Sequence, residues 1–188
     1  MKLRALLRFA GLVAAYLVIA IPFRTLNLIP GFTDVRPVTA LGPVYAVFYG
    51  PVGCLASGLG NLLADVLDDS LRWTSIAGFA VNFLGPLLVW LYWTRLSRTP
   101  FSLRTPRDLL RHSFLLTLVS LFETAILAPS VALVYPEVDA LFFGQTVFFN
   151  NAVFPIVLGI PLSILLQEEF GFRPRTRQAQ STRGREER

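Results

Sequence analysis

The chain has 188 residues, 54% of them hydrophobic and 15% charged, and the apolar residues come in long runs set apart from the charged ones. A water-soluble domain of this length cannot bury so much apolar surface, so a single membrane domain is expected, with ~30 Å of hydrocarbon setting the length of each span. The net charge of +5 does not point to nucleic acid, because the arginines gather between and beyond the apolar runs and are not interleaved with aromatics on a compact domain.

Their placement reports topology instead. Lys2, Arg4 and Arg8 precede the first run; Arg95, Arg98, Arg104, Arg107 and Arg111 share one central loop; Arg173, Arg175, Arg177, Arg183, Arg185 and Arg188 lie in the tail. The positive-inside rule makes these segments cytoplasmic in a multi-pass membrane protein. Arg24, Arg36 and Arg72 fall on the other side, where Asp34, Asp68, Asp69, Glu137 and Asp139 also collect.

In chain order, the first span is expected over about residues 5–23. It follows positive charges as a secretory signal does, but no convincing small-x-small cleavage site stands before Arg24. A loop rich in Pro and Gly leads from Arg24 to Arg36. The apolar stretch 37–67 is too long for one crossing and short for two, and GPVG at 50–53 breaks it, so two short helices are expected, about 37–50 and 52–67. Such short spans need shielding by neighbouring protein, since lipid satisfies no frayed backbone.

A fourth span, about 74–94, ends in the interfacial aromatics Trp90, Tyr92 and Trp93. The fifth covers about 112–135 and the sixth about 140–166, with PEVD between them. Six crossings place every basic cluster inside. The expected fold is therefore an all-α membrane protein with six transmembrane helices in a domain of residues 1–170, both termini cytoplasmic, and a disordered, Arg-rich tail over 171–188. No internal repeat is evident.

Polar residues inside the spans mark candidate function, since each is costly in hydrocarbon unless it meets a partner or a wet cavity. Asn61 and Asp65 stand four residues apart on one helical face. Asn82, Glu123, Gln145, Asn150 and Asn151 interrupt the later spans. In the six-span arrangement Asn61, Asp65, Asn82, Glu123, Asn150 and Asn151 can all border one outward-facing cavity. For the amides, hydrogen bonding between helices is the competing reading; for Asp65 and Glu123 it is a protonated or paired structural carboxyl.

Arg36, at the mouth of the second helix, either pairs with Asp34 at the surface or reaches over the pocket to grip an anionic or carbonyl group. Trp73 reads as an interfacial tryptophan or as a stacking platform. On the first helix, Ala10 with Ala14 and Gly11 with Ala15 form small-xxx-small pairs that admit a close helix, from this chain or another.

The sequence has no GxxxxGK[ST] loop and its sole lysine is Lys2, so no P-loop is expected. His112 is the only histidine and Cys54 the only cysteine. No disulfide framework, metal site, catalytic residue or cofactor is expected.

The succession TDVRPVTALGPVYAVFYGPVGCLASGLGNLLADVL, SIAGFAVNFLGPLLVWLYW and NNAVFPIVLGIPLSILL resembles the substrate-binding S components of energy-coupling factor (ECF) transporters, over roughly residues 5–168 in layout and most specifically around 33–93. The resemblance implies a six-helix protein that captures a vitamin or related micronutrient at an outer-side pocket. It implies docking through helix-1 small residues, here Ala10, Gly11, Ala14 and Ala15, onto a transmembrane T component driven by two ABC ATPase subunits. Nothing matches the amino-terminal histidine pattern of the nickel and cobalt members, and the ligand residues of the riboflavin, thiamine and biotin members find no match either, so the particular ligand stays open. The alternative is a structural membrane protein of the MreD-like cell-shape class, whose helices also combine Gly, Pro and an acidic residue.

Overall fold

A computed structural model describes residues 2–29 and 33–175. Among these, the chain is helical apart from one short antiparallel ladder. Helix α1 runs Lys2–Phe23, and strands β1 (Asn27–Ile29) and β2 (Thr33–Asp34) pair behind it. A 3-10 turn, Pro37–Ala40, leads into α2 (Leu41–Tyr49), α3 (Pro51–Leu67) and α4 (Thr74–Leu91). Then come α5 (Pro106–Val134), α6 (Ala140–Phe154) and α7 (Ile160–Glu168), with π turns at Tyr92–Leu96 and Pro155–Gly159.

Four segments are long and apolar enough to cross a membrane: Leu3–Phe23, Thr74–Leu96, Pro106–Val134 and Ala140–Glu168. Pro37–Tyr49 and Pro51–Leu67 are apolar but shorter, so at 1.5 Å per residue neither alone matches ~30 Å of hydrocarbon. Burial resolves the mismatch differently in the two. Every residue of α2 from Leu41 to Phe48 is buried inside the bundle, whereas α3 shows Val52 and Leu55 outward. The outer face of α5 is an exposed apolar stripe, Leu110, Phe114, Leu118, Leu121 and Phe122. Such a surface is compatible with lipid and unlike that of a water-soluble bundle.

The break between α2 and α3 falls at Gly50, whose φ of 65° is a conformation that favours glycine. At Gly53 an added Cβ would run into the carbonyl oxygen of Tyr45, so the two helices turn back on each other at backbone contact. Helix α1 lies as closely on α3: a Cβ on Gly60 would stand 2.6 Å from Tyr16 Cγ, and Tyr16 is fully buried there.

Several expected boundaries shift. The fifth helix begins at Pro106, not near 112, because Thr105 accepts a hydrogen bond from the Asp108 amide (3.2 Å) and Pro106 occupies the first helical position. The hydropathy boundary misses this polar first turn. The sixth span is interrupted at Pro155, which has no N–H to continue an α-helical ladder, and the chain relaxes into a π turn before α7.

The loop from Arg24 to Arg36 is not wholly irregular, since Asn27 pairs with Asp34 and the Val35 amide donates to Leu26 O (3.0 Å). Nor does the tail leave the protein at 171. Phe172 packs edge-on against Phe48 and Tyr49, and the Arg175 amide donates to Val47 O (2.7 Å). The rest of the expected disordered tail, 176–188, lies outside the described residues.

Candidate functional site

One end of the bundle collects charge. It is the end where α3 finishes, α4 begins and α5 finishes, opposite the arginine-rich loop between α4 and α5. Arg24, just beyond α1, reaches Asp65 Oδ1 at 2.5 Å through Nη2, with Asp34 and Asp68 each at 3.7 Å. Its Nη1 also donates to Ser70 Oγ (3.2 Å). A planar guanidinium with five donors suits this task, satisfying acceptors from three segments at once.

Arg36 sits one layer inward. Its Nε is 3.4 Å from Asp34 Oδ1, and its Nη2 donates to Asn61 Oδ1. Its side chain is only 20% exposed and Asp34 is 7% exposed, so the Asp34–Arg36 pair lies within the bundle mouth and not on the surface. Burial works against the Arg36 charge, but Asp34 beside it, with Tyr16 and Asp65 beyond, holds the guanidinium above the ordinary arginine value.

Asn150 anchors this loop to α6. Its Oδ1 accepts from the Arg36 amide (3.1 Å) and its Nδ2 donates to Asp34 O (2.9 Å). The loop backbone thus finds in one side chain the partners that a strand neighbour would otherwise supply.

These groups surround an outer cavity of about 100 Å³. Arg24, Asp34, Arg36, Asn61, Asp65, Asp68 and Arg72 make its polar wall; Leu127, Val131, Phe143 and Val147 make the apolar one. The volume is well below the ~300–1,000 Å³ usual for small-molecule sites. A second, inner cavity of about 20 Å³ is bordered by Thr39, Ser57, Asn82, Glu123 and Asn151 among others.

Three helices agree on how the cavities are stacked. Along α4 the outer cavity touches Gly78 and the inner one Asn82 and Pro86; along α5 the pairs are Val131 and Glu123, along α6 Val147 and Asn151. Eight residues of helix, Gly78 to Pro86, are ~12 Å. Arg36, bonded to Asn61, stands between the cavities with Asn150 beside it, because the next turn of chain, Thr39 to Pro43, already borders the inner one.

The expected single set of residues is therefore divided. Arg36, Asn61 and Asp65 line the outer cavity, and Asn82 and Glu123 line the inner one. Asn150 lines neither and ties the loop. Asn82 takes a hydrogen bond from Tyr16 Oη (3.3 Å) and donates to Gly78 O (2.9 Å), while Glu123 Oε2 accepts from Asn151 Nδ2 (2.7 Å). Gln145 and Trp73 are exposed. Ala10, Gly11, Ala14 and Ala15 face outward on α1, and nothing lies within 4 Å of a Cβ built on Gly11.

Sequence reading left Arg24 and Ser70 without a role. The signal available for Arg24 was its position one residue past the first span; its partner Asp65 is 41 residues away. His112, the only histidine, is buried and accepts from Trp93 Nε1 at 3.2 Å.

No family model matches the chain, and no curated protein or solved structure matches it either.

Proposed function

We propose that this chain is the membrane-embedded S component of an ECF-type importer, a six-span protein that takes a vitamin or related micronutrient from outside the bacterial plasma membrane. One observation carries the reading: a loop, α3, α4, α5 and α6 converge on a polar cavity at the end of the bundle away from the arginine-rich loop. With that loop and both termini cytoplasmic, the cavity opens outward. Arg36, Asn61 and Asp65 supply donors and acceptors to a ligand's polar part, and the walls from α5 and α6 supply its apolar contact.

At about 100 Å³ the outer cavity is closed down. A vitamin enters only as Arg24 and Arg36 release Asp65 and Asn61, exchanging internal partners for ligand groups. The outward small face of α1, Ala10, Gly11, Ala14 and Ala15, supports docking on a T component, which two ABC ATPases would drive.

The second reading is a structural protein of the MreD-like class, and a specific observation favours it. Asn61, Asp65, Asn82, Glu123 and Asn150 each already have a partner inside the chain. Uptake separates the two. A vitamin-auxotrophic host lacking its own importers, supplied with this chain, a T component and ATPases, should grow on limiting micronutrient. Failure across a panel on which established S components succeed would favour the structural role.

A further inference from the structure

The inner cavity holds polar groups that the transport reading does not use. Two of the amide nitrogens on its walls are committed elsewhere: Asn82 Nδ2 donates to Gly78 O (2.9 Å) and Asn151 Nδ2 to Glu123 Oε2 (2.7 Å). The Thr39 hydroxyl is held between the carbonyls of Arg36 and Asn150, both at 2.9 Å. Beside the second N–H of each amide, oxygens remain. Glu123 Oε1, Asn151 Oδ1 and Ser57 Oγ make no hydrogen bond among the described residues, and their side chains border the cavity.

Two of these groups are deeply enclosed, since Ser57 is 1% exposed and Glu123 is 8% exposed. Gly85 lets the carboxyl lie directly on α4, because a Cβ there would clash with Glu123 Oε1. Each of two helices carries a proline at this level, inside an unbroken α4 and at the π turn that ends α6. Pro86 and Pro155, both on the cavity wall, lack the N–H that would return to the carbonyls of Asn82 and Asn151 four residues earlier. Backbone carbonyls left by a proline, together with side-chain oxygens, form the kind of donor set that takes small alkali cations.

We propose that the inner cavity is a binding site for a sodium-sized monovalent cation, coordinated by Glu123, Ser57 and Asn151. A carboxyl buried among acceptors in an apolar bundle takes up either a proton or a cation, and the cation is the occupant proposed. About 20 Å³ admits one particle the size of a water molecule, which excludes organic and fully hydrated cations. One carboxylate and few oxygens do not meet the six to eight ligands of calcium or the hydrated octahedron of magnesium. Among the described residues no cluster of three His, Cys, Asp or Glu offers a site for a transition metal. The site is independent of whether the outer cavity takes a micronutrient.

The test is thermal unfolding of the purified full-length chain at fixed pH and ionic strength in sodium, potassium or choline chloride, with equilibrium dialysis against radioactive sodium. Sodium should raise the melting temperature saturably over choline, by a few degrees, with potassium less effective. Glu123→Gln should abolish both the shift and sodium binding, whereas Asp65→Asn, in the outer cavity, should keep them. Should Glu123→Gln fail to fold, Ser57→Ala serves instead and should weaken sodium binding several-fold. Equal melting in all three salts with no sodium bound, a sodium effect that persists in Glu123→Gln or is unchanged in Ser57→Ala, or stability that answers to pH but not to the cation, would each overturn the proposal.

Discussion

Arg24 Nη2 lies 2.5 Å from Asp65 Oδ1, and through this contact the end of α1 is fastened to the end of α3 across 41 residues of sequence. Both side chains are 13% exposed, so the pair is partly desolvated and each charge needs the other. Asp65→Asn should destabilise the protein by about 1–3 kcal/mol, less than for a deeply buried pair because Asp34 and Asp68 remain near Arg24. Arg24→Gln should lose a similar amount, and the double variant less than the sum, with a coupling of about 0.5–3 kcal/mol. Denaturant unfolding of the four proteins in one detergent measures this; strict additivity would show that the two groups do not communicate.

Asn150 leads to a local prediction. Asn150→Leu keeps the volume but leaves the Arg36 amide and the Asp34 carbonyl without their partner. At ~1–3 kcal/mol for each orphaned buried group, the loop should open well before the bundle does. Hydrogen exchange should report faster exchange at Arg36 while amides in α2 stay protected. Unchanged protection at Arg36 would mean that the ladder with β1 holds the loop unaided.

The pair Asn150 and Asn151 shows what the sequence could and could not disclose. Their place within a long apolar run was legible from hydropathy alone, as were the six apolar helices and the break at Gly50, whose φ of 65° suits glycine. Consecutive helical residues point ~100° apart, and here one amide turns to the loop while the next meets Glu123. Which of them does which depends on the rotation of α6 against α5, set by packing at Gly144, Val147 and Leu127 and by no local pattern. For that reason one cavity was expected where the described residues divide between two. The polar first turn of α5 was legible in principle, since Thr105 before Pro106 is a helix-start signal that hydropathy does not weigh.

A side chain at Gly85 should lower stability. In Gly85→Ala the new Cβ would meet the Glu123 carboxyl, and the strain should be worth about 1–3 kcal/mol. Shortening the opposing group should relieve it, so Gly85→Ala with Glu123→Ala should be less destabilised than the two single losses added. A double variant no better than that sum would place the clash elsewhere.

The outward face of α1 should behave oppositely. Gly11→Leu with Ala14→Leu adds side chains where the bundle has no neighbour, so stability should change by no more than ~0.5 kcal/mol. Binding of micronutrient should also survive, while co-purification with a T component should be lost. Intact co-purification would refute the docking role of this face.

The most direct measurement is equilibrium binding of a panel of vitamins, nucleobases and other micronutrients to the purified chain, alongside Arg36→Ala and Asn61→Ala. The account predicts that one compound class binds saturably and that both substitutions weaken it at least tenfold, the loss of ~1.4 kcal/mol or more. Absence of binding by every compound, under conditions in which established S components bind theirs, would contradict the claim that the outer cavity is a ligand site.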